Sequence, residues 1–439
     1  MMENYLGSAR CSCGKTHDIA LDDVVVGKGV LARLPEFVAR YGAKKPFILA
    51  DRNTFAAAGE QVCRILAEHG IPCGQYIFPD ASLEPNEQAV GAAVMHFDHS
   101  CDLIIGVGSG VINDIGKLLS RISGRKYIIV GTAPSMDGYA SATSSMSLDG
   151  LKVSLPARCA DVIIGDVDIL KHAPLHLLQS GLGDMLAKYV SLAEWKIAHI
   201  ITGEYYCERV ARLMKGALDK CVEHAGGLLR REDAAVQAVF EGLVIGGVAM
   251  AYAGVSRPAS GVEHYFSHVW DMRGLEFGTP VELHGIQCAI GTLAAVKLYE
   301  ILRQSKPDEA KASAYVEAFD YGDWSRRLQQ FLGKSADTMI ALEQKEGKYR
   351  KETHPARFRI IEENWDAIVD ILNRELPPSG QLERLMDSMG LPKDFSVIGV
   401  DSDCARMTFQ ATKDIRDKYV LSRLAWDLGV LDELCAQLA

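Results

Sequence analysis

Short apolar runs alternate with helical patterns in the first third of the chain. Residues such as Leu31–Tyr41 and Phe55–His69 place apolar side chains at helical spacing. Between such segments lie five runs with the length of buried strands: Val24–Val26, Phe47–Ala50, Tyr76–Phe78, Leu103–Val107 and Tyr127–Val130. Continuous apolar strands separated by helices are typical of a parallel sheet covered on both faces. The pattern therefore predicts an N-terminal α/β domain that binds ligands beyond the carboxyl ends of its strands.

Helical patterns dominate after about Asp166. Long amphipathic helices are predicted at Asp184–Ile200, Tyr205–Leu229, Ala235–Ala253, Trp324–Phe331, Phe358–Glu375 and Ala411–Leu438. The charged residues 344–357 are predicted to form a solvated connection or a helix end. We therefore expect two domains, an α/β domain over residues 1–170 and an all-α domain over residues 171–439.

Composition narrows the class of protein. The 439 residues are 48% apolar and 24% charged, as in ordinary globular proteins. A net charge of −10 argues against a nucleic-acid partner, although a small anion needs only one local basic pocket. Eleven scattered cysteines indicate reduced thiols and a cytoplasmic location. The N-terminus lacks the pattern of a signal peptide, and we expect no membrane span.

Two polar loops follow neighbouring predicted strands. The turn Gly106–Asp114 opens a helical pattern, so its glycines would let a pyrophosphate approach the free N–H groups of the helix. The loop Gly131–Asp137 follows the next strand and is expected at the same sheet edge. Asp51 ends an earlier strand, where it either contacts an adenosine ribose or caps the next helix. A plain strand–helix connection is the alternative for the glycine turn.

A run of small hydroxyl residues, Gly138–Ser145, follows the second loop. Such runs are more often surface turns than binding sites. The segment Lys152–Leu155 after it is predicted to form a β-hairpin. Its place after a buried strand makes the run a candidate wall of a cofactor cleft.

Three segments of the helical half supply possible metal ligands. Gly181–Asp184 introduces a predicted helix with Asp184 near its start. His264 and His284 begin two further helical segments, and His268 lies one turn after His264. One carboxylate and two imidazoles would suit Zn²⁺ or a similar ion with one position open for substrate. The alternatives are a helix cap for Asp184 and core packing for the histidines.

A second possible metal cluster lies near the N-terminus. It consists of Cys11, Cys13 and His17. The group is short and has no evident fourth ligand, so an ordinary terminal segment is favoured.

Taken in order, these motifs resemble the glycerol-1-phosphate dehydrogenase family, a branch of the iron-containing alcohol dehydrogenase and dehydroquinate synthase superfamily. Segments of the C-terminal half carry the resemblance further, and Ser256–Gly261 followed by Glu263-His264 is the most specific of all. The others are Glu282–Gly285 and Arg416–Gly429. The resemblance implies a Rossmann-like domain, a helical domain, and cofactor and metal in the cleft between them. It also implies reversible reduction of dihydroxyacetone phosphate to sn-glycerol 1-phosphate.

Site residues follow from the resemblance motif by motif. Asp184, His264 and His284 are expected to bind one divalent metal, and Asp137 is expected to contact the substrate. His268 is either a proton relay or a packing residue. Contacts to NADH or NADPH are expected from the residues of the two loops and from Asp51, namely Asp51, Gly108, Gly110, Val111, Ile112, Asn113, Asp114, Thr132, Ser135 and Ser141.

One departure from the superfamily pattern bears on the metal. Many of its alcohol dehydrogenases carry a histidine four residues after the aspartate ligand, where this chain has Lys188. Three ligands favour Zn²⁺ or Ni²⁺ over iron, and Asp51 slightly favours NADH. Lys152, Lys188 and Arg257 are the candidates for binding the substrate phosphate. A homo-oligomer is the expected assembly.

Other activities remain open at this point. Glycerol dehydrogenase or dehydroquinate synthase chemistry would use the same scaffold. A non-catalytic nucleotide-binding protein is the alternative from a different class.

Overall fold

The computed structural model describes residues 7–79, 82–149 and 151–438. The chain forms two compact units. The first contains Met1–Met185 and Arg212–Val255, and the second contains Leu186–Ala211 and Ser256–Ala439. The expected boundary near residue 170 falls inside the first unit.

The strands of the described residues all belong to the first unit. They are β1 (Ala9–Arg10), β2 (Thr16–His17), β3 (Asp23–Gly27), β4 (Pro46–Asp51), β5 (Gly74–Phe78), β6 (Leu103–Gly108), β7 (Lys126–Gly131), β8 (Thr143–Leu148), β9 (Leu151–Pro156) and β10 (Val162–Asp166). The pairs β1–β2 and β8–β9 are antiparallel hairpins. The second of them confirms the hairpin expected around Lys152–Leu155.

Six strands form one parallel sheet in the order β3-β10-β7-β6-β4-β5. The predicted α/β architecture is thereby confirmed. The chain runs outward from β4 to β5 and then returns to the other side of β4 with β6. Ligands of such sheets bind where the strand order reverses in this way. A cofactor is therefore expected to bind at the carboxyl ends of β4 and β6.

The sheet also contains a strand that the apolar pattern did not predict. β10 lies between β3 and β7, and all five of its residues are buried. Its Asp166 carboxylate accepts hydrogen bonds from the backbone N–H groups of Gly29 and Leu31, which ties the strand to the segment after β3.

Helices make up most of the rest of the described chain. They are α1 (Leu34–Arg40), α2 (Arg52–Thr54), α3 (Glu60–Glu68), α4 (Glu87–Met95), α5 (Gly110–Ser123), α6 (Val167–Leu170), α7 (Leu175–Leu186), α8 (Lys188–Thr202), α9 (Glu208–His224), α10 (Asp233–Ala253), α11 (Val262–Phe277), α12 (His284–Leu302), α13 (Glu309–Glu317), α14 (Tyr321–Leu332), α15 (Ser335–Glu346), α16 (His354–Glu363), α17 (Trp365–Glu375), α18 (Ser379–Ser388), α19 (Ser402–Thr412), α20 (Leu421–Asp427) and α21 (Leu431–Cys435). In its described residues the second unit contains helices joined by loops and no strand, as predicted for the C-terminal part.

Several helix boundaries differ from the prediction. The helix expected from Asp184 onward is wrong at its start, because α7 begins at Leu175 and α8 follows it after Ala187. The single helix expected over Ala411–Leu438 is also wrong. That stretch contains the end of α19 and two short helices, separated in part by Gly429 with a positive φ of 68°.

Two described helices, α10 and α12, have the length and apolar composition of membrane spans. In their most apolar stretches, however, 67% and 83% of the residues are buried inside the fold. Core helices of globular proteins share this property, so the two helices are weak evidence for a span.

Candidate active site

The glycine turn joins β6 to α5 at the point where the sheet order reverses. Ser109 is the N-cap residue of α5, and no side chain caps the helix there. A Cβ atom on Gly108 would lie 2.5 Å from the side chain of Ile112, and one on Gly110 would lie 3.3 Å from Met136. The clash at Gly108 requires glycine there, whereas the contact at Gly110 is tight but involves only the flexible Met136 side chain. The uncapped N–H groups of the turn suit an anion such as a pyrophosphate.

The second polar loop lies beside the first, as expected. Gly108 pairs with Gly131 at the ends of β6 and β7, and the N–H of Thr132 donates to the Gly108 carbonyl at 3.0 Å. The hydroxyl oxygens of Ser109 and Ser135 are 2.5 Å apart and link the two loops directly. Thr132 and Ser135 are both largely buried. The loops thus form one continuous polar surface at the sheet edge.

Two residues expected to contact the nucleotide have structural partners within the first unit. Asn113 is fully buried, and its Nδ2 donates to the Gly138 carbonyl at 3.1 Å. Asp114 lies 2.8 Å from the ammonium of the buried Lys117. Ile112 is buried and Val111 partly buried. The backbone of this turn, more than these side chains, is therefore suited to contact the nucleotide.

Asp51 caps a helix. Its carboxylate accepts from the N–H of Thr54 at 2.9 Å, and the Thr54 hydroxyl accepts from the N–H of Asp51 at 3.0 Å. This is a capping box, one of the two roles considered for Asp51. Ser141 also serves a local turn, since its hydroxyl oxygen accepts from the N–H of Thr143.

Asp184 belongs to the last turn of α7, and not to a helix start. It is completely buried, and its carboxylate accepts from the backbone N–H of Asp137 at 2.9 Å. The two acidic residues predicted at the site are thus joined within the first unit. The close approach depends on Gly181, because a Cβ atom there would lie 1.8 Å from the Pro134 carbonyl oxygen.

His264 and His284 lie together in the second unit. They are in the first turns of α11 and α12, and their ring centroids are 5.0 Å apart. Nδ1 of His264 is 2.8 Å from a carboxylate oxygen of Glu263, and Nδ1 of His284 is 2.8 Å from the Ser267 hydroxyl. The carboxylate can only accept, so Nδ1 of His264 carries the proton and Nε2 keeps its lone pair. Metal-binding histidines are typically oriented in this way.

Cys288 is a third potential ligand in this group, and the sequence analysis missed it. Its thiol lies 3.6 Å from Nε2 of His284, one turn earlier on α12. The potential ligand atoms of His264, His284 and Cys288 all lie within 4.8 Å of one another. Burial by itself raises the pKa of the Cys288 thiol, but the two imidazoles outweigh it and lower that pKa below its ordinary value. The spacing of His284 and Cys288 on one helix face was the available signal.

A buried acidic pair supports the start of α11. Glu194 accepts from the N–H groups of Val262 and Leu421, and Glu263 accepts from the N–H of Gly261. Burial, followed by the charge of Glu263, raises the pKa of Glu194 above its ordinary value. This network fixes the helix start that carries His264.

His268 lies on the same face of α11 and is partly exposed. Its ring stacks on His284 with centroids 5.9 Å apart and an interplanar angle of 24°. A histidine that only packed in the core would be expected to be fully buried, whereas a proton relay needs access to the site.

Three basic residues near the Ser256–Gly261 segment are engaged by protein groups. Arg257 is 2% exposed and binds the Glu204 carboxylate and the Tyr419 carbonyl. Lys188 is fully buried and donates to the Ala259 carbonyl at 2.9 Å. Lys418 donates to the Ser260 carbonyl, and burial, followed by Arg257, lowers its pKa to about 7. All three therefore hold the Ser256–Gly261 segment that precedes His264.

Comparisons with known proteins agree with this arrangement of motifs. A family model described as iron-containing alcohol dehydrogenase matches residues 25–174. The chain is 33% identical over 387 residues to a glycerol-1-phosphate dehydrogenase [NAD(P)+] of Halalkalibacterium halodurans, covering 87% of each chain. It is 34% identical to the enzyme of the same name from Pyrococcus furiosus, covering 68% of this chain and 85% of that one.

The fold has solved counterparts as well. A crystal structure of glycerol dehydrogenase from Schizosaccharomyces pombe matches with a TM-score of 0.61. The match covers 99% of this chain and 93% of that chain at 17% sequence identity. At this identity the likeness concerns the fold alone.

Proposed function

We propose that this chain, which belongs to the glycerol-1-phosphate dehydrogenase family, catalyses the reversible reduction of dihydroxyacetone phosphate to sn-glycerol 1-phosphate. The reductant is NADH or NADPH, and one divalent metal takes part. The observation that carries the proposal is the pair His264 and His284, with Nδ1 of each imidazole held by a hydrogen bond.

The first unit offers a fitting site for the nucleotide. The glycine turn after β6 leaves the N-terminus of α5 uncapped, and Gly110 keeps its backbone open. The linked hydroxyls of Ser109 and Ser135 extend the polar surface. These features support a pyrophosphate bound to the turn, while Asp51 reaches the ribose only if it gives up its cap.

The donor set of the proposed metal site is one carboxylate, Asp184, and two imidazoles, His264 and His284. A set of two borderline imidazoles and one hard carboxylate suits Zn²⁺ or Ni²⁺, and we propose one of these ions. The carboxylate of Glu263 keeps the proton of His264 on Nδ1, which leaves Nε2 to bind the ion. The bound ion would polarise the ketone, and the nicotinamide would supply hydride.

The remaining residues place the substrate and move protons. Asp137 is proposed to accept a hydrogen bond from a substrate hydroxyl, because its backbone is anchored on Asp184. His268 is partly exposed beside His284 and is proposed to deliver the proton that completes the product hydroxyl.

The substrate phosphate needs a cationic partner. Arg257 and Lys188 have buried structural contacts, so we propose Lys152 of β9, which is partly exposed, as the first candidate to test.

The protein is further proposed to be cytoplasmic and to form a homo-oligomer. Within the described residues, none of the eleven cysteines forms a disulfide. Such thiol usage is typical of a reducing compartment.

A substrate panel tests the activity. Purified protein supplied with Zn²⁺ or Ni²⁺ should oxidise NADH or NADPH with dihydroxyacetone phosphate, and should act far more slowly on unphosphorylated dihydroxyacetone. Equal rates on the two ketones would instead favour a glycerol dehydrogenase. Nucleotide binding without turnover of any ketone would favour a non-catalytic protein.

A further inference from the structure

The N-terminal hairpin brings together three residues that the proposed function does not use. β1 and β2 pair antiparallel, with Ala9 opposite His17 and Arg10 opposite Thr16. The N–H of Cys11 donates to the Lys15 carbonyl at 3.0 Å, and the N–H of Gly14 donates to the Cys11 carbonyl at 3.1 Å. The turn and the two-residue ladder bring the side chains of Cys11, Cys13 and His17 close together.

The distances among these side chains fit a metal. Their potential ligand atoms all lie within 4.8 Å of one another. Sγ of Cys13 is 3.5 Å from Nε2 of His17. A tetrahedral zinc ion, with bonds of about 2.3 Å to sulfur and about 2.0 Å to nitrogen, separates two such ligand atoms by about 3.5 Å. Two thiols and one imidazole are also the donor types that select zinc over harder ions.

The backbone carbonyl of Tyr252 fixes the tautomer of His17. The ring is completely buried, and its Nδ1 lies 2.8 Å from the Tyr252 carbonyl oxygen. A carbonyl only accepts, so Nδ1 carries the proton and Nε2 presents its lone pair toward the Cys13 sulfur. A backbone carbonyl on the second ring nitrogen is the usual support of a zinc-bound histidine.

The hairpin is also fastened to the end of α10. The His17 ring stacks on Tyr252 with centroids 5.3 Å apart, and the Lys15 ammonium donates to the Ala253 carbonyl at 3.2 Å. Strands of two residues are too short to hold a hairpin by their ladder alone. A cross-link between the turn and His17 would stabilise the hairpin and fix the residue that contacts α10.

We propose that Cys11, Cys13 and His17 bind a structural zinc ion that cross-links the hairpin, while His17 holds the hairpin against the C-terminal end of α10. On binding, the two thiols release their protons to solvent and coordinate as thiolates. The site shares no residue with the proposed catalytic set of Asp184, His264 and His284, so either site can fail experimentally without the other.

Metal content gives the first test. Full-length protein loaded with zinc and freed of loose metal should hold two equivalents by elemental mass spectrometry. The double variant Cys11→Ser/Cys13→Ser should lose one equivalent, and His264→Ala should lose the other. Cys63→Ser, which replaces a partly buried thiol elsewhere in the first unit, is the matched control and should keep both. Unchanged zinc in the double variant would overturn the proposal.

Cobalt substitution identifies the ligands. Co²⁺ in the hairpin should give thiolate-to-metal charge-transfer absorption and intense tetrahedral bands. Because Cys288 lies beside the catalytic histidines, the spectrum is recorded in Cys288→Ser protein, where the hairpin signal should persist. A band intensity matching three thiolates would show a further cysteine in the fourth position, and one matching two would show a different fourth ligand. Either result supports the hairpin site.

If the Cys11→Ser/Cys13→Ser variant does not fold, the cobalt spectrum still tests whether the hairpin binds a metal. Absence of thiolate absorption in correctly folded Cys288→Ser protein would contradict the site. So would a Cys11–Cys13 disulfide in protein purified under reducing conditions, detected by peptide mass spectrometry. His17→Gln should weaken zinc retention during chelator challenge, whereas retention equal to wild type would exclude His17 as a ligand.

Discussion

Nδ1 of His264 lies 2.8 Å from the carboxylate of Glu263, the residue that precedes it on α11. This contact fixes the tautomer of the imidazole and leaves Nε2 available as a ligand. Glu263 is itself completely buried and also accepts from the Gly261 N–H at 2.6 Å. The orientation of the proposed metal ligand is therefore built into the start of its helix.

Replacing Glu263 by Gln should weaken metal binding by about 10- to 100-fold, as is usual when a partner of a metal-binding histidine is changed. The amide removes the negative charge that stabilises the Nδ1 proton of His264. Isothermal titration of metal-free protein with Zn²⁺ measures the effect. Glu362→Gln, an exposed carboxylate on α16, is the control. Equal affinity in the two variants would show that Glu263 has no orienting role.

Replacing Asp137 by Ala should raise the KM for dihydroxyacetone phosphate more than the KM for the nicotinamide. Loss of a hydrogen bond to a charged group corresponds to about 1.5–3 kcal/mol, or roughly 10- to 150-fold. Steady-state kinetics with each substrate varied in turn provide the measurement. Asp168→Ala, an exposed ion-pair residue, should leave both constants unchanged. A larger effect on the nicotinamide would move Asp137 to the cofactor site.

Gly110→Ala should raise the KM for NADH and NADPH by about tenfold, equivalent to about 1.4 kcal/mol. The added Cβ occupies the approach to the α5 N-terminus, while the flexible Met136 side chain can adjust to it. Thermal stability should change little. Gly91→Ala in α4 is the control, because a Cβ there meets nothing within 4 Å and should stabilise the helix by up to about 1 kcal/mol. Unchanged nicotinamide binding in Gly110→Ala would argue against the turn as the pyrophosphate site.

Lys418 should impose a pH dependence on stability. Burial lowers its pKa in the folded protein to about 7 from an ordinary value of 10.5. Between these pH values the unfolded chain binds more protons, so this group makes stability rise with pH over that window. Lys418→Met should therefore flatten the rise between about pH 7 and 10. Calorimetric unfolding of both proteins across this range measures the difference, and parallel curves would show that Lys418 is not buried in this way.

The sheet could be predicted from sequence because its strands are continuous apolar runs that alternate with helices. The run Leu103–Val107 proved to be β6, and the glycine turn and the second loop lie at neighbouring strand ends as expected. In this part of the chain the local apolar pattern and the topology rules for parallel sheets agree. The strands and the loops at their ends could therefore be predicted without knowledge of tertiary contacts.

The helix around Asp184 shows why the rest could not be predicted. Gly181 and Gly183 looked like the break before a helix, because glycine disfavours helix interiors. Both lie inside α7, and Gly181 is required because the Pro134 carbonyl would lie 1.8 Å from its Cβ. That constraint comes from a residue 47 positions earlier in the chain, and no local pattern reveals it.

The side chains of the candidate site also fall into two groups, those that could be identified from sequence and those that could not. The histidines were identified by family motif, but their supporting contacts were not. Glu194 was missed because it accepts from the N–H of Val262, a residue distant in sequence. Cys288 was missed although it lies only one turn after His284 on the same helix. Asp51 had two roles open, and only the structure shows its capping box.

Ketone reduction by this enzyme is proposed to need one divalent metal bound by Asp184, His264 and His284. The most direct measurement is the rate of NADH oxidation with dihydroxyacetone phosphate as Zn²⁺ or Ni²⁺ is added back to metal-free protein. Wild type should regain activity at one equivalent beyond any retained structural metal, and His264→Ala, Asp184→Ala and His284→Ala should each stay inactive while remaining folded by circular dichroism. Full activity in metal-free His264→Ala protein would contradict the claim.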